Sequence, residues 1–442
     1  MTSPKATSIA HRCYPLLFLL LGLVWLWFIL EIFNHYQLVT FPDTESYQRV
    51  AHHPIFSKAF LAGARPPSWP LFFKLLNYNL LAMAFMQKLL FVVSALAFAL
   101  SLAHSFRHRV TRVLAFCVIL LLAAAEEIGF WPRVLLSESL WISFFFLILA
   151  LVLCCLNPRF SPTQRKYLLG VCLLLLLPWA FLRDTNGYFL LMLGLGMLPL
   201  ALVFKQHLKQ LLLLCLLPVL IGSVQIKTSG MAYRWMFPLV NVLSQRFLTD
   251  PVRTEYLIAS GMPMNEKVAA FRGNWASAGK LRDFGDWVFR SKTVYQGWLL
   301  RHLPEACGEA ASHWREVLDQ SVLSYSKAQL HPGQARFTRL VAPRGMRLAV
   351  FFGLAAVALL FVAAGVVRGN LHVSAPAWVA FFLLALSLPM LFLVYHGDAM
   401  EVARHGLPVR IQALVGGWLA ILAGVDLLLC YLKGYLAGRA PN

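Results

Sequence analysis

Apolar residues in this chain come in long runs, not in alternation. Leu16–Ile32, Leu80–Leu102 and Val350–Val367 could each cross a bilayer core of about 30 Å as a helix. The pattern recurs, giving ten candidate spans near 15–33, 80–103, 113–130, 138–156, 167–182, 187–204, 210–226, 347–367, 374–395 and 410–432. The short runs at 113–130 and 167–182 would suit broken or re-entrant helices. One long polar stretch, 227–346, interrupts the series, and its patterns at Arg301–Ala311 and Ala311–Leu323 are helical. Breakers fall at Gly261-Met262-Pro263 and His331-Pro332-Gly333. The expected fold class is an all-α polytopic membrane protein with about ten transmembrane helices (range 9–13). An N-terminal module spans 1–226, with its first outer loop at 34–79. A mainly helical outer domain spans 227–346, and a C-terminal module spans 347–442.

Composition agrees with the pattern and removes other classes. Of 442 residues 59% are hydrophobic and 13% charged, whereas a soluble domain carries about a quarter charged residues. In a soluble protein the net charge of +20 would point to nucleic acid. Here the bases have another reason to be present, and no nucleic-acid partner is expected. If the N-terminus is inside, the inner segments hold Lys5, Arg12, Arg107, Arg109, Arg112, Arg159, Arg165, Lys166, Lys205, Lys209, Arg368, Lys433 and Arg439, with no acidic residue among them. That is the positive-inside pattern, and it places both termini in the cytoplasm. Nearly every carboxylate falls on the other face. Only Glu31 and Asp426 lie within spans, and with Lys88 they are the few ionisable groups at membrane depth.

The N-terminal run lacks a small-residue cleavage site and reads as an uncleaved anchor. The eight cysteines form no CxxC pair, so neither a structural zinc nor a disulfide framework is indicated. Gly279-Lys280 has no preceding glycine loop and no HExxH occurs, which sets aside an ATP-driven pump and a zincin-type protease. Trp25, Trp27, Trp69 and Trp131, near span ends, suit an aromatic belt.

Four polar constellations punctuate the outer face. Phe41-Pro42-Asp43-Thr44-Glu45-Ser46-Tyr47 follows the first span and suggests a turn into an interfacial helix, where Asp43 alone would most simply be an N-cap. Trp131–Leu140 contains Arg133 and Glu138, Leu182–Asn186 contains Arg183 and Asp184, and His396–His405 contains Asp398, Glu401, Arg404 and His405. Singly, each suits a local salt bridge at a helix end. Recurring at one face, cations beside carboxylates could hold a phosphate-linked lipid and activate a nucleophile. Moving a sugar off a lipid phosphate needs one base for the acceptor's proton and cations for the leaving phosphate.

The layout, with Asp43-Thr44-Glu45-Ser46-Tyr47 opening the first outer loop and the Ser137-Glu138 and Arg404-His405 turns nearby, resembles the GT-C superfamily of membrane glycosyltransferases. The resemblance implies an inverting enzyme of the bacterial inner membrane that works on the periplasmic face. Its donor would be a polyprenyl-phosphate-linked sugar, and its acceptor an envelope glycan, a lipid or a surface protein such as a pilin. It further implies Asp43 as the catalytic base or acceptor-orienting carboxylate; on the residues themselves, Glu45 or Glu138 are the supporting carboxylates, and Arg65, Arg133, Arg183 and Arg404, with His405, are the candidates for the donor phosphate. A divalent metal held by Asp43 and Glu45 is compatible with it, and no metal ligand set is assigned. Two other classes share these features. One is a secondary transporter or flippase of a lipid-linked or anionic solute. The other is a ligase-type transferase using a pyrophosphate-linked glycan.

Overall fold

The computed structural model describes residues 4–35, 37–203, 208–275, 280–319, 331–367 and 374–436. Of the inner-loop bases, Lys205, Arg368 and Arg439 lie outside the described residues. Helix dominates, and among the described residues the sole β pairing is an isolated bridge between Val39 and Val134. In chain order, the N-terminal half supplies α1 (Pro4–His35), α2 (Pro42–Ala51), α3 (Leu80–Ser105), α4 (Arg109–Ala124), α5 (Ser137–Leu156), α6 (Pro162–Ala180), α7 (Asp184–Val203) and α8 (Leu208–Met231). The polar stretch contributes α9 (Met236–Val242), α10 (Trp287–Arg301), α11 (Leu303–Ser312), α12 (Trp314–Leu318) and α13 (Pro332–Val341). The chain then returns through α14 (Met346–Val367), α15 (Ala375–Gly397) and α16 (Val402–Leu436).

Helix starts follow local chemistry. Asn79 Oδ1 accepts the Ala82 N–H at 3.0 Å to open α3. Ser161 and Gln164 form a reciprocal capping box at α6, at 3.2 and 2.9 Å. Pro42 and Pro332 occupy first-turn positions of α2 and α13, where a missing N–H costs nothing.

Seven helices are long and apolar enough to cross a membrane, or eight with the bent pair Arg109–Ala124 and Glu126–Arg133. The protein is therefore a multi-pass, all-helical membrane protein. The sequence-based count of about ten exceeds this, because α6 and α7 fall outside the seven. The 113–130 run does break, at Ala125, with a bend of 56°. The freed backbone groups find partners on α13: Thr338 Oγ1 accepts the Glu126 N–H at 2.8 Å, and Gln334 Nε2 donates to the Ala124 carbonyl at 3.2 Å. Glu126 and Glu127, both buried, meet Arg344 at 3.0 and 2.8 Å, and Arg410 reaches Glu127 at 2.9 Å.

The polar stretch is helical as expected but divided in its allegiance. Residues from Leu239 to Ala306 build a separate apolar core around Phe247, Phe271, Phe284 and Trp298. Ala310, Val317, Leu318 and Val341, farther along, bury into the main bundle core instead, and α12 packs on α16. Only Trp27 of the four belt tryptophans is exposed; Trp25, Trp69 and Trp131 are buried, so the belt reading fails for those three. Asp426 is no mid-membrane charge waiting for a solute. It accepts the backbone N–H groups of Arg107 and His108 at 3.2 and 2.8 Å and ties down the α3–α4 turn. Lys88 rests its ammonium 5.3 Å from the Phe33 ring.

Candidate active site

The loop after α1 is fastened to the start of α5 by a short ladder. The Val39 N–H donates to the Arg133 carbonyl at 3.1 Å, and the Leu135 N–H donates back to the Val39 carbonyl at 3.0 Å. Thr44 Oγ1 donates to the Leu135 carbonyl at 3.0 Å, and Tyr47 OH donates to Ser137 Oγ at 3.2 Å. These bonds bring the first turn of α2 against the first turn of α5. Asp43 and Glu138, 95 positions apart in the chain, thereby become neighbours.

Asp43 is not the cap of α2. That position belongs to Phe41, whose N–H is accepted by Thr44 Oγ1 at 3.0 Å. The Asp43 carboxylate faces away from the helix axis and takes two guanidiniums, Arg65 on Oδ1 and Arg404 on Oδ2. Burial alone would raise its pKa, but Arg404 and Arg65 together outweigh that and hold it below the ordinary aspartate range. Arg65 is itself placed by a 2.7 Å bond from Nε to Ser46 Oγ and by the Tyr47 ring, 5.2 Å away.

Arg404, at the start of α16, also lies 3.2 Å from Glu138 and 2.9 Å from Glu401. Glu138, 2% exposed, has Arg183 2.9 Å from the same oxygen, Oε1, that faces Arg404, and its Oε2 accepts from Ser137 Oγ at 3.3 Å. Next to Arg183 in the chain, Asp184 is gripped by Arg234, whose Nη2 and Nε reach it at 2.8 and 3.0 Å, and by Gln225 at 3.0 Å.

These groups wall a cavity of about 340 Å³ at the helix ends. Five cations line it (Arg65, Arg183, Arg234, Lys292 and Arg404) against three carboxylates, Glu138, Asp184 and Asp398. Trp235, Leu239, Leu299 and Phe392 give it an apolar side. Asp398 differs from its companions because no guanidinium among the described residues pairs with it. It accepts the Met400 N–H at 2.8 Å and Asn241 Nδ2 at 3.4 Å, and faces His405 Nε2 at 3.4 Å. Burial pushes its carboxyl up to about 6.

Of the residues expected from sequence, Arg65, Glu138, Arg183, Arg404 and His405 line this one cavity, and Asp43 stands directly behind two of them. Two do not join. Arg133 is buried with its guanidinium 4.1 Å from the Phe130 ring, and its place in the site is taken by its carbonyl, which holds Val39. Glu45 is exposed on the opposite side of α2, two residues past Asp43, and lies outside the cavity. Among the described residues no three His, Cys, Asp or Glu side chains converge to hold a metal ion, and both Asp43 oxygens are already taken by arginines.

Asp184 and Asp398 belong to two of the outer-face constellations but carry no assigned role from sequence, and Arg234 and Lys292 are not singled out at all. Arg234 and Lys292 sit in the polar stretch with nothing local to mark them.

No protein-family model, curated protein or solved structure matches this chain. The site is therefore read from its own chemistry.

Proposed function

We propose that this protein is a GT-C-type glycosyltransferase that moves a sugar from a polyprenyl-phosphate donor to an envelope acceptor. The supporting observation is the sharing of Arg65 and Arg404 between Asp43 and the cavity. An incoming phosphodiester competes with Asp43 for those guanidiniums, because Arg binds phosphate and carboxylate with the same forked geometry. As the phosphate draws them off, Asp43 regains basicity, so donor binding itself prepares the base. Asp43 then takes the proton of the acceptor hydroxyl. The hydroxyl oxygen bonds to the sugar C1 from the face opposite the phosphate, the C1–O bond to phosphate breaks, and polyprenyl phosphate leaves with the electron pair, held by the arginines. Glu138 positions Arg404 and Arg183, and His405 offers a further polar contact. The apolar side of the cavity suits the start of the lipid tail.

In this reading the protein sits in the bacterial inner membrane with both termini cytoplasmic and the cavity periplasmic. The test is to incubate purified protein with defined polyprenyl-phosphate and polyprenyl-pyrophosphate sugars plus an envelope fraction, and to weigh the products. Transfer from the monophosphate donor is expected, reduced at least about 100-fold in Asp43→Asn. Failure of the wild type with both donors overturns the proposal. Undiminished transfer by a stably inserted Asp43→Asn removes Asp43 from the chemistry.

A further inference from the structure

A second cavity, about 550 Å³, lies at the opposite end of the bundle from Asp43, among the first half of α1, the last turns of α3 and the first turns of α4. Its length is apolar. Phe18, Leu19, Leu23, Leu96 and Phe116 line it, and Gly22 lies at its floor, where a Cβ would meet Leu96 and Phe116 at no less than 3.8 Å. Leu19 and Leu23 are more than half exposed on helices of membrane-spanning length, so the medium that fills this groove is acyl chain, not water.

One end of the groove is cationic. Arg109, Arg112 and His104 line it, and among the described residues no carboxylate does. Arg112 Nε is anchored on the Phe106 carbonyl at 2.9 Å, and the Arg109 guanidinium lies 5.7 Å from the Tyr14 ring, so both stems are positioned at the mouth. The adjacent carboxylate, Asp426, has both oxygens on backbone N–H groups. An occupant must therefore combine a long apolar chain with an anionic head. A zwitterionic lipid brings its own cation into a site that already has two arginines three residues apart.

We infer that this groove is a specific site for an anionic glycerophospholipid, its acyl chain along Gly22 and its phosphodiester at Arg109 and Arg112. The inference is independent of the proposed transferase chemistry, since it involves no residue of the first cavity. It separates a built site from the general lipid annulus, in which any bilayer lipid exchanges.

The test is native mass spectrometry of the full-length protein released from nanodiscs of equimolar dioleoyl-phosphatidylglycerol and dioleoyl-phosphatidylcholine. Wild type is expected to retain phosphatidylglycerol at least tenfold over phosphatidylcholine. Arg109→Gln with Arg112→Gln should lower that ratio at least tenfold. Gly22→Phe, which fills the floor, should lower phosphatidylglycerol retention with both arginines present. Arg165→Gln with Lys166→Gln, bases at the start of α6 that do not line the groove, should leave retention unchanged. Equal retention of the two lipids by wild type overturns the inference. So does wild-type retention by a double variant with unchanged melting temperature, or glycerol phosphate alone binding as tightly as the intact lipid.

Discussion

Arg404 holds Asp43, Glu138 and Glu401 at once, and the burial of its partners decides what it is worth. Glu138 is 2% exposed, so removing Arg404 leaves a buried carboxylate with Arg183 as the one remaining cation among the described residues. Breaking a buried pair from one side costs about 3–5 kcal/mol. The Arg65–Asp43 pair is partly exposed on both sides, where such pairs contribute about 1 kcal/mol or less. Arg404→Leu should therefore lower the thermal midpoint in detergent several times more than Arg65→Leu, and equal shifts would show that Glu138 does not depend on Arg404. Asp398 gives a pH signature of its own. Its folded pKa, pushed to about 6, lies above the 3.8 of an unperturbed aspartate, so the folded state binds more protons between those values. The groups around it are His405, Glu401, Asn241 and, on α15, His396. The contribution of Asp398 to stability is thus greatest below about pH 4 and declines as pH rises to about 6. Asp398→Asn should remove that decline, measured as midpoint against pH beside wild type. Asp43, with its pKa lowered, acts in the other direction and below that window, losing its stabilising role as pH falls under 3.8. At this scale the sequence marked several of the residues that the fold brings together, but not what each of them contacts. A cap motif and a ligand motif look alike in Pro42-Asp43-Thr44, and the arrival of Arg65 and Arg404, from 22 and 361 positions away, distinguishes them.

The element that departs furthest from regularity is the span broken at Ala125. Hydropathy marks 113–130 as short for a crossing, and its break was legible on that ground. What closes the break was not, because Gln334 and Thr338 sit over 200 residues downstream in a stretch that reads as an outer domain. A helix interrupted at membrane depth survives only where its freed groups find partners inside the protein. Thr338→Val keeps the shape and removes the acceptor of the Glu126 N–H, leaving a buried donor unpaired at a cost of about 1–3 kcal/mol. The expected result is a lower thermal midpoint with helix content by circular dichroism unchanged. An unshifted midpoint would mean that the break does not rely on α13.

Across the whole molecule, ion pairs at helix ends constrain how many times the chain crosses. Glu138 lies in the first turn of α5, and Arg183 follows the end of α6; their 2.9 Å contact keeps those two ends on one face. If α5 crosses, α6 must return across the same bilayer, and its 19 residues rise about 28 Å, close to the hydrocarbon thickness. Asp184 and Arg234 make the same argument for α7 and α8, which pack closely along their lengths. If α6 and α7 also cross, then with the seven long apolar helices and the bent pair the chain would cross ten times, an even number that would return both termini to one side. The apolarity of α6 is diluted at its start by Arg165 and Lys166, which keeps it out of the long apolar helices. Reporter fusions test this directly. Alkaline phosphatase joined after residue 186 should be active, and joined after residue 160 inactive, with a fluorescent-protein fusion showing the reverse. Activity at 160 would invert α5 and α6 together and carry the cavity to the cytoplasmic face. Inactivity at both positions would leave α6 uncrossed, which the Glu138–Arg183 contact does not permit in a chain folded this way.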